Sequence, residues 1–208
     1  MLISKRHRFI FFHVPKAAGS SITAAFQRYS DFPYARLYHY LFELLGKQRW
    51  LHLFPRHISP LELKEELGEA NFTRYFKFAF VRNPFDWHVS QFHFHKQKKG
   101  AYFHETFKDM SFEDYVEWAV ENTAIARSLQ KRFLSDEEGE LLVDHVGKVE
   151  HLNDDLAIIS ERLGLQVEVL QKNKSERKED YRKHYNERMR RLIEESHQED
   201  LEAFGYSF

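Results

Sequence analysis

Two short apolar runs stand out along the chain, RFIFFHV at residues 8–14 and RYFKFAFV at 74–81. Runs of this length with no polar face predict strands buried on both sides of an α/β sheet. A weaker run, ELLVDHVGKVE at 140–150, reads as a further strand. Between them the apolar spacing changes to the helical period. In SSITAAFQRY, Ile22, Ala25, Phe26 and Tyr29 share a face, and Ser20 or Ser21 is placed to cap it. In HISPLELKEELG, Ser59 and Glu62 make a capping box, Pro60 suits the first turn and Gly68 the stop, which leaves His57 in the loop before the helix. After the second run, Asn83 caps and Pro84 opens a helix whose inner face is Phe85, Val89 and Phe92, so Arg82 stands at the strand's C-terminal end. Further helices are expected from about Ser111, up to Gly164, and over 186–203 with Met189, Leu192, Ile193 and Leu201 inward. Residues 30–52 are rich in aromatics but have no period and read as loop and short helix. The alternation of strand and helix argues for an α/β fold with a largely parallel sheet.

Composition narrows the class. A chain of 208 residues suits one domain, 1–208, by the soft rule of roughly 150 residues per domain. Apolar residues make up 42% with 20 Phe, while Gly and Pro number only 8 and 5, which argues against disordered and fibrous classes. Lys and Arg total 31 against 32 acids, so no global field invites nucleic acid, and any anion site is local. The basic stretch at 171–192 is interleaved with acids and reads as a solvated helical face. The absence of cysteine removes disulfides, thiolate nucleophiles and cysteine-ligated metals. The first residues are basic and then apolar, but Pro15 and Lys16 interrupt them too soon for a signal core, and no window approaches a membrane span. The expectation is a cytoplasmic protein.

Two segments carry candidate chemistry. HVPKAAGSSI at 13–22 joins the first strand to a helix, where backbone N–H groups and the helix dipole favour an anion. Lys16 adds a point charge, Gly19 permits close approach, and Ser20 and Ser21 add hydroxyl donors. The lysine precedes the glycine, so the loop is not a standard nucleoside-triphosphate P-loop, G-x-x-x-x-G-K-[ST]. The second segment is FAFVRNPFDWHVSQFHF, in which Arg82 ends a strand and Ser90 lies about two turns into the next helix, so both can face one anion.

Together, PKAAGSS and VRNPFDWHVS resemble the sulfotransferases that use 3′-phosphoadenosine 5′-phosphosulfate (PAPS), especially the carbohydrate-sulfotransferase-like branch. The resemblance extends over nearly the whole chain, including RHISPLELKEELG and the ending DLEAFGYSF. It implies a P-loop-NTPase-like three-layer fold, with a central mainly parallel sheet flanked by helices, and PAPS as co-substrate without a metal. It assigns Lys16, Ala17, Ala18, Gly19, Ser20 and Ser21 to the 5′-phosphosulfate, and Arg82 and Ser90 to the 3′-phosphate. NKS at 173–175 looks like the late loop over the cofactor and adds Lys174 and Ser175. Ala18, Ser20 and His88 depart from residues frequent in the pattern.

The implied reaction transfers a sulfuryl group to a hydroxyl, with a sugar or glycan as the expected acceptor. His57, in an HxS context like that of related glycan enzymes, is the expected base, and Lys16 the stabiliser of the leaving phosphate. His88, His93 and His95 share one helix, but no carboxylate accompanies them at ligand spacing, so lining of the acceptor cleft or a surface position is expected rather than a metal. His13 reads as structural. Two alternatives stay open. One is a nucleoside-triphosphate-dependent kinase or ATPase, for which LLVD ending at Asp144 would supply a strand-end acid. The other is a non-catalytic nucleotide-binding protein.

Overall fold

The two strong apolar runs become strands buried at every position but the half-buried Phe76. In the computed structural model, which describes residues 1–31, 57–122, 129–167 and 180–208, the elements run β1 Leu2–Ser4, β2 Phe9–Phe12, α1 Gly19–Phe26, α2 Pro60–Leu67, α3 Glu69–Phe72, β3 Phe76–Val81 and α4 Pro84–Gln97. They continue with α5 His104–Phe107, α6 Phe112–Glu121, α7 Gln130–Leu134, β4 His145–Lys148, α8 Leu152–Leu163, α9 Glu187–Ser196 and α10 Gln198–Phe204. The strands form one sheet in the order β1-β2-β3-β4, a mixed α/β architecture with helices flanking the sheet. The chain divides into two compact units, Met1–Phe80 with Leu134–Asn173, and Val81–Phe133 with Lys174–Phe208.

In the first unit β2 and β3 are parallel, with Phe9 opposite Phe76 and Phe12 opposite Ala79. Successive strand side chains point to opposite faces. Phe9, Phe11, Phe78 and Phe80 therefore share one face, where they pack with Ile22, Ala25 and Phe26 of α1 and with Leu156 and Ile159 of α8. Phe12 turns to the other face and meets Phe72 of α3. Burial on both faces, about 1.5–3 kcal/mol for each Phe, explains why these runs show no alternation.

The sheet carries an antiparallel edge beside the parallel pair, because Leu2–Ser4 pairs antiparallel with β2, Leu2 opposite Phe11. Three residues are too few to show a period, which hides this edge strand from sequence reading. α1 starts at Gly19, not at a serine cap. Its N-cap is Ala18 in the left-handed region, with no side-chain bond, and the Ala18 carbonyl accepts the N–H groups of Ser21 at 2.9 Å and Ile22 at 3.2 Å. The Ser59–Glu62 capping box, Pro60 and the Gly68 stop of α2 are all observed, as is the Gly164 stop of α8.

The second unit has its own core. Phe85, Trp87 and Phe92 of α4 pack with Phe107, with Tyr115, Val116 and Ala119 of α6, and with Met189 and Ile193 of α9. Asn83 caps α4 by accepting the Phe85 N–H at 3.0 Å, and Ser111 caps α6 in a capping box with Asp114. The helix expected over 186–203 is two helices, because the chain breaks at His197, the shared cap of α9 and α10. The His197 imidazole turns inward and meets His88 Nε2 at 3.2 Å. No described helix is long and apolar enough to cross a membrane.

Candidate functional site

The first station follows β2. The chain leaves the strand through buried His13 and Val14 and enters α1 at Gly19. Lys16 and Ala18 have φ of 62° and 53°, whereas Ala17 between them does not. A left-handed conformation in a residue with a Cβ costs about 1–2 kcal/mol. Alternating hands gather successive N–H groups on one concave side, the geometry of an anion nest. Such strain persists only where the surroundings enforce it, and it concentrates at ligand clamps. α1 carries no acid in its first turn, so nothing there offsets the positive end of its dipole. Lys16 is half-buried, Ala17 and Ser21 are buried, and Ser20 is exposed.

Gly19 is required for a reason the sequence did not disclose. It does not sit at a positive φ; instead a Cβ there would fall 1.9 Å from Nε2 and 2.0 Å from Cδ2 of His13. The imidazole occupies the place where a side chain would be. The His13 ring stacks on Phe11 and lies 4.7 Å, centroid to centroid, from His57. His57 is exposed, and its Nδ1–H donates to the His13 carbonyl at 2.9 Å. A carbonyl only accepts, so this bond fixes the proton on Nδ1 of the neutral ring and puts the lone pair on Nε2, the tautomer a general base needs. The structure thus joins Gly19 of the lysine loop to His13 and His13 to His57, all within the first compact unit.

The second station follows β3. Arg82 Nε donates to Asp86 Oδ2 at 2.7 Å, and Nη2 lies 2.5 Å from the same oxygen. Positions 82, 86 and 90 are spaced four apart, so buried Ser90 lies one turn beyond Asp86 on the same side of α4. The Arg82 main chain is also held: its N–H donates to Gln130 Oε1 at 2.9 Å, and Gln130 Nε2 donates to its carbonyl at 2.7 Å. Fully buried Asp200 accepts from the N–H groups of Gln130 at 3.0 Å and Lys131 at 2.8 Å. Burial raises the Asp200 pKa, and these N–H donors oppose the rise. Asp86 was discoverable from its spacing to Arg82. Gln130 and Asp200 were not, since nothing in the sequence ties them to the arginine. Lys174 and Ser175 lie outside the described residues, as do most of the aromatic-rich residues 30–52.

Three expectations are corrected. His88 neither lines a cleft nor lies at the surface; it is fully buried, with Nδ1 3.0 Å from the Tyr115 hydroxyl and Nε2 on His197. His95 is buried as well, and its Nδ1 accepts the Phe103 N–H at 3.3 Å. LLVD does not end a strand: β4 begins after it, and Asp144 accepts the Lys77 N–H at 2.7 Å and pairs with Lys77 Nζ at 2.7 Å. Lys77 is opposite Ile10, near the start of both parallel strands, whereas Lys16 follows the end of β2. The acid that would have favoured a nucleoside triphosphate is therefore committed elsewhere. In the basic C-terminal stretch, Arg188 pairs with Glu117 at 2.6 Å and Arg190 with Glu194 at 2.8 Å. Among the described residues no three His, Asp or Glu side chains form a ligand set.

A model described as the sulfotransferase family, of the second sulfotransferase type, matches residues 1–207. No curated protein matches the chain, and no solved structure does.

Proposed function

The chain belongs to the sulfotransferase family, and from that premise we propose that it moves a sulfuryl group from PAPS to a hydroxyl of a carbohydrate or similar acceptor. In this reading residues 1–208 form one sulfotransferase-like domain of P-loop-like, three-layer design, a reading supported by a family match that runs through both compact units. The loop Lys16–Ser21 receives the 5′-phosphosulfate, and Arg82 with Ser90 receives the 3′-phosphate. Lys174 and Ser175 are further contacts of the same nucleotide.

The chemistry follows from the residues. The acceptor oxygen forms a bond to sulfur as the bond from sulfur to the 5′-phosphate oxygen breaks. The acceptor proton passes to His57 Nε2, and adenosine 3′,5′-bisphosphate leaves. Lys16 and the amides at the start of α1 stabilise the charge growing on the departing phosphate. A positioned base contributes typically about 10²–10⁴ in rate. The observation that supports this reading most is the His57 Nδ1 bond to the His13 carbonyl. It ties the proposed base, in the tautomer that accepts a proton, to the residue on which the lysine loop packs.

Thermal melting with adenosine 3′,5′-bisphosphate and with magnesium ATP tests the nucleotide. A ligand at 100 times its Kd adds about 2.7 kcal/mol, expected here for the bisphosphate; stabilisation by ATP alone overturns the proposal. Radiolabelled PAPS offered to a glycan panel tests the reaction. Transfer should collapse in His57→Ala, and undiminished transfer removes His57 as base.

A further inference from the structure

As β3 ends, Arg82 leaves the sheet with a peptide N–H and C=O to satisfy, and one side chain satisfies both. Gln130 lies along the Arg82 peptide as a neighbouring strand would, accepting from its N–H at 2.9 Å and donating to its C=O at 2.7 Å. The same Nε2 reaches Asp200 Oδ2 at 3.4 Å. The carboxylate cannot donate, so it fixes which end of the carboxamide is the NH₂ and hence which end faces the Arg82 N–H. Gln130 is 3% exposed and Asp200 0%, so water does not compete for these bonds. At the other end of the residue, Asp86 holds the guanidinium by Nε and Nη2.

We propose that Gln130, oriented by Asp200, is a positioning residue that sets the direction in which Arg82 presents its guanidinium to the 3′-phosphate of the nucleotide. The inference rests on the reading of Arg82 as the 3′-phosphate contact. Its chemical basis is narrow. Only a group carrying a donor and an acceptor side by side satisfies the Arg82 peptide; methionine offers neither, and an ionised glutamate offers no donor. A guanidinium gives two parallel bonds to a phosphate only when aimed correctly, so a loosened main chain lowers selectivity for the 3′-phosphate before it lowers anything else.

Isothermal titration with adenosine 3′,5′-bisphosphate and with adenosine 5′-monophosphate reads this selectivity directly. Wild type should prefer the bisphosphate, and Arg82→Ala should abolish the preference. Gln130→Met should cut it on the order of tenfold while leaving monophosphate affinity in place, the loss expected for one misaligned charge-assisted bond. If Gln130→Met does not fold, Gln130→Glu decides. Its neutral acid again offers a donor and an acceptor, so the preference should return as pH is lowered in that variant and not change in step in wild type. A Gln130 variant that keeps full preference while Arg82→Ala loses it overturns the positioning role alone. A wild type without preference, or an Arg82→Ala that keeps it, overturns the underlying reading of Arg82.

Discussion

The loop after β2 and the bend after β3 both end parallel strands, yet the first is shaped by main-chain conformation and the second by side chains arriving from far along the chain. In the loop, Lys16 and Ala18 accept left-handed backbone, and the demand on residue type falls on Gly19, where His13 leaves no room for a Cβ. At the bend, Arg82 depends on the chemical character of Asp86, Gln130 and Asp200. One station is sensitive to volume and the other to donors and acceptors. The difference separates the substitutions that should damage each.

The largest effect belongs to Lys16. Lys16→Ala removes the charge proposed to stabilise the leaving phosphate and should lower kcat by about 10²–10³, as loss of a transition-state donor typically does. Steady-state kinetics with PAPS checks it; a loss confined to KM would make the loop a binding element only.

Acid should strike the second unit. His88 and His197 face each other across 3.2 Å, with the Tyr115 hydroxyl on His88 and the Ser196 hydroxyl on His197 Nδ1 at 2.9 Å. Burial, and then the charge of His197, holds His88 well below the ordinary imidazole range; burial brings His197 down to about 4. Both values lie below that of the unfolded chain, so as pH falls the unfolded state takes up protons first. The stability is whole above about pH 6.5 and is lost as pH falls through about 4, on the order of 3 kcal/mol for His197 alone. Denaturant melts at pH 7.5 and 4.5, with hydrogen exchange to locate the opening, should show α4, α6 and α9 losing protection; unchanged protection there would refute the effect.

Gly19→Ala comes next. The new methyl must displace a buried imidazole, and overpacking of this kind costs about 1–3 kcal/mol. His57 is bonded to the displaced residue, so transfer should fall together with Tm. An unaltered Tm would show that His13 moves freely and that the loop is not volume-limited.

The smallest effect is a gain. Ala18→Gly relieves the left-handed strain of about 1–2 kcal/mol, offset by the entropy glycine adds to the unfolded chain, for a net stabilisation of roughly 0.5–1 kcal/mol. A calorimetric Tm that rises by a few degrees without loss of bisphosphate affinity would place the strain in the fold alone; a rise with weakened binding would place it in the site.

The same contrast explains what the sequence disclosed. β2, β3, α2 and α4 were legible because each is encoded in contiguous residues, by apolar runs and by the caps Ser59 and Asn83. The lysine loop was legible for the same reason. β1 was not, since its three residues acquire meaning only beside Phe9–Phe12. The break at His197 escaped because helical periodicity continues through it, and the inward turn of the imidazole depends on His88 elsewhere in the chain. Gln130 and Asp200 escaped for the plainest reason: they lie 48 and 118 residues beyond Arg82 (130 − 82 and 200 − 82), and only the fold makes them neighbours.

The contact between His13 and Gly19 also constrains how the loop can change. The imidazole fills the volume that a side chain at position 19 would need, so the two positions share one allotment of space and are heritable as a pair. A side chain at 19 alone meets the imidazole, and a smaller residue at 13 alone leaves a cavity in a buried place. Changed together, the two substitutions offset one another.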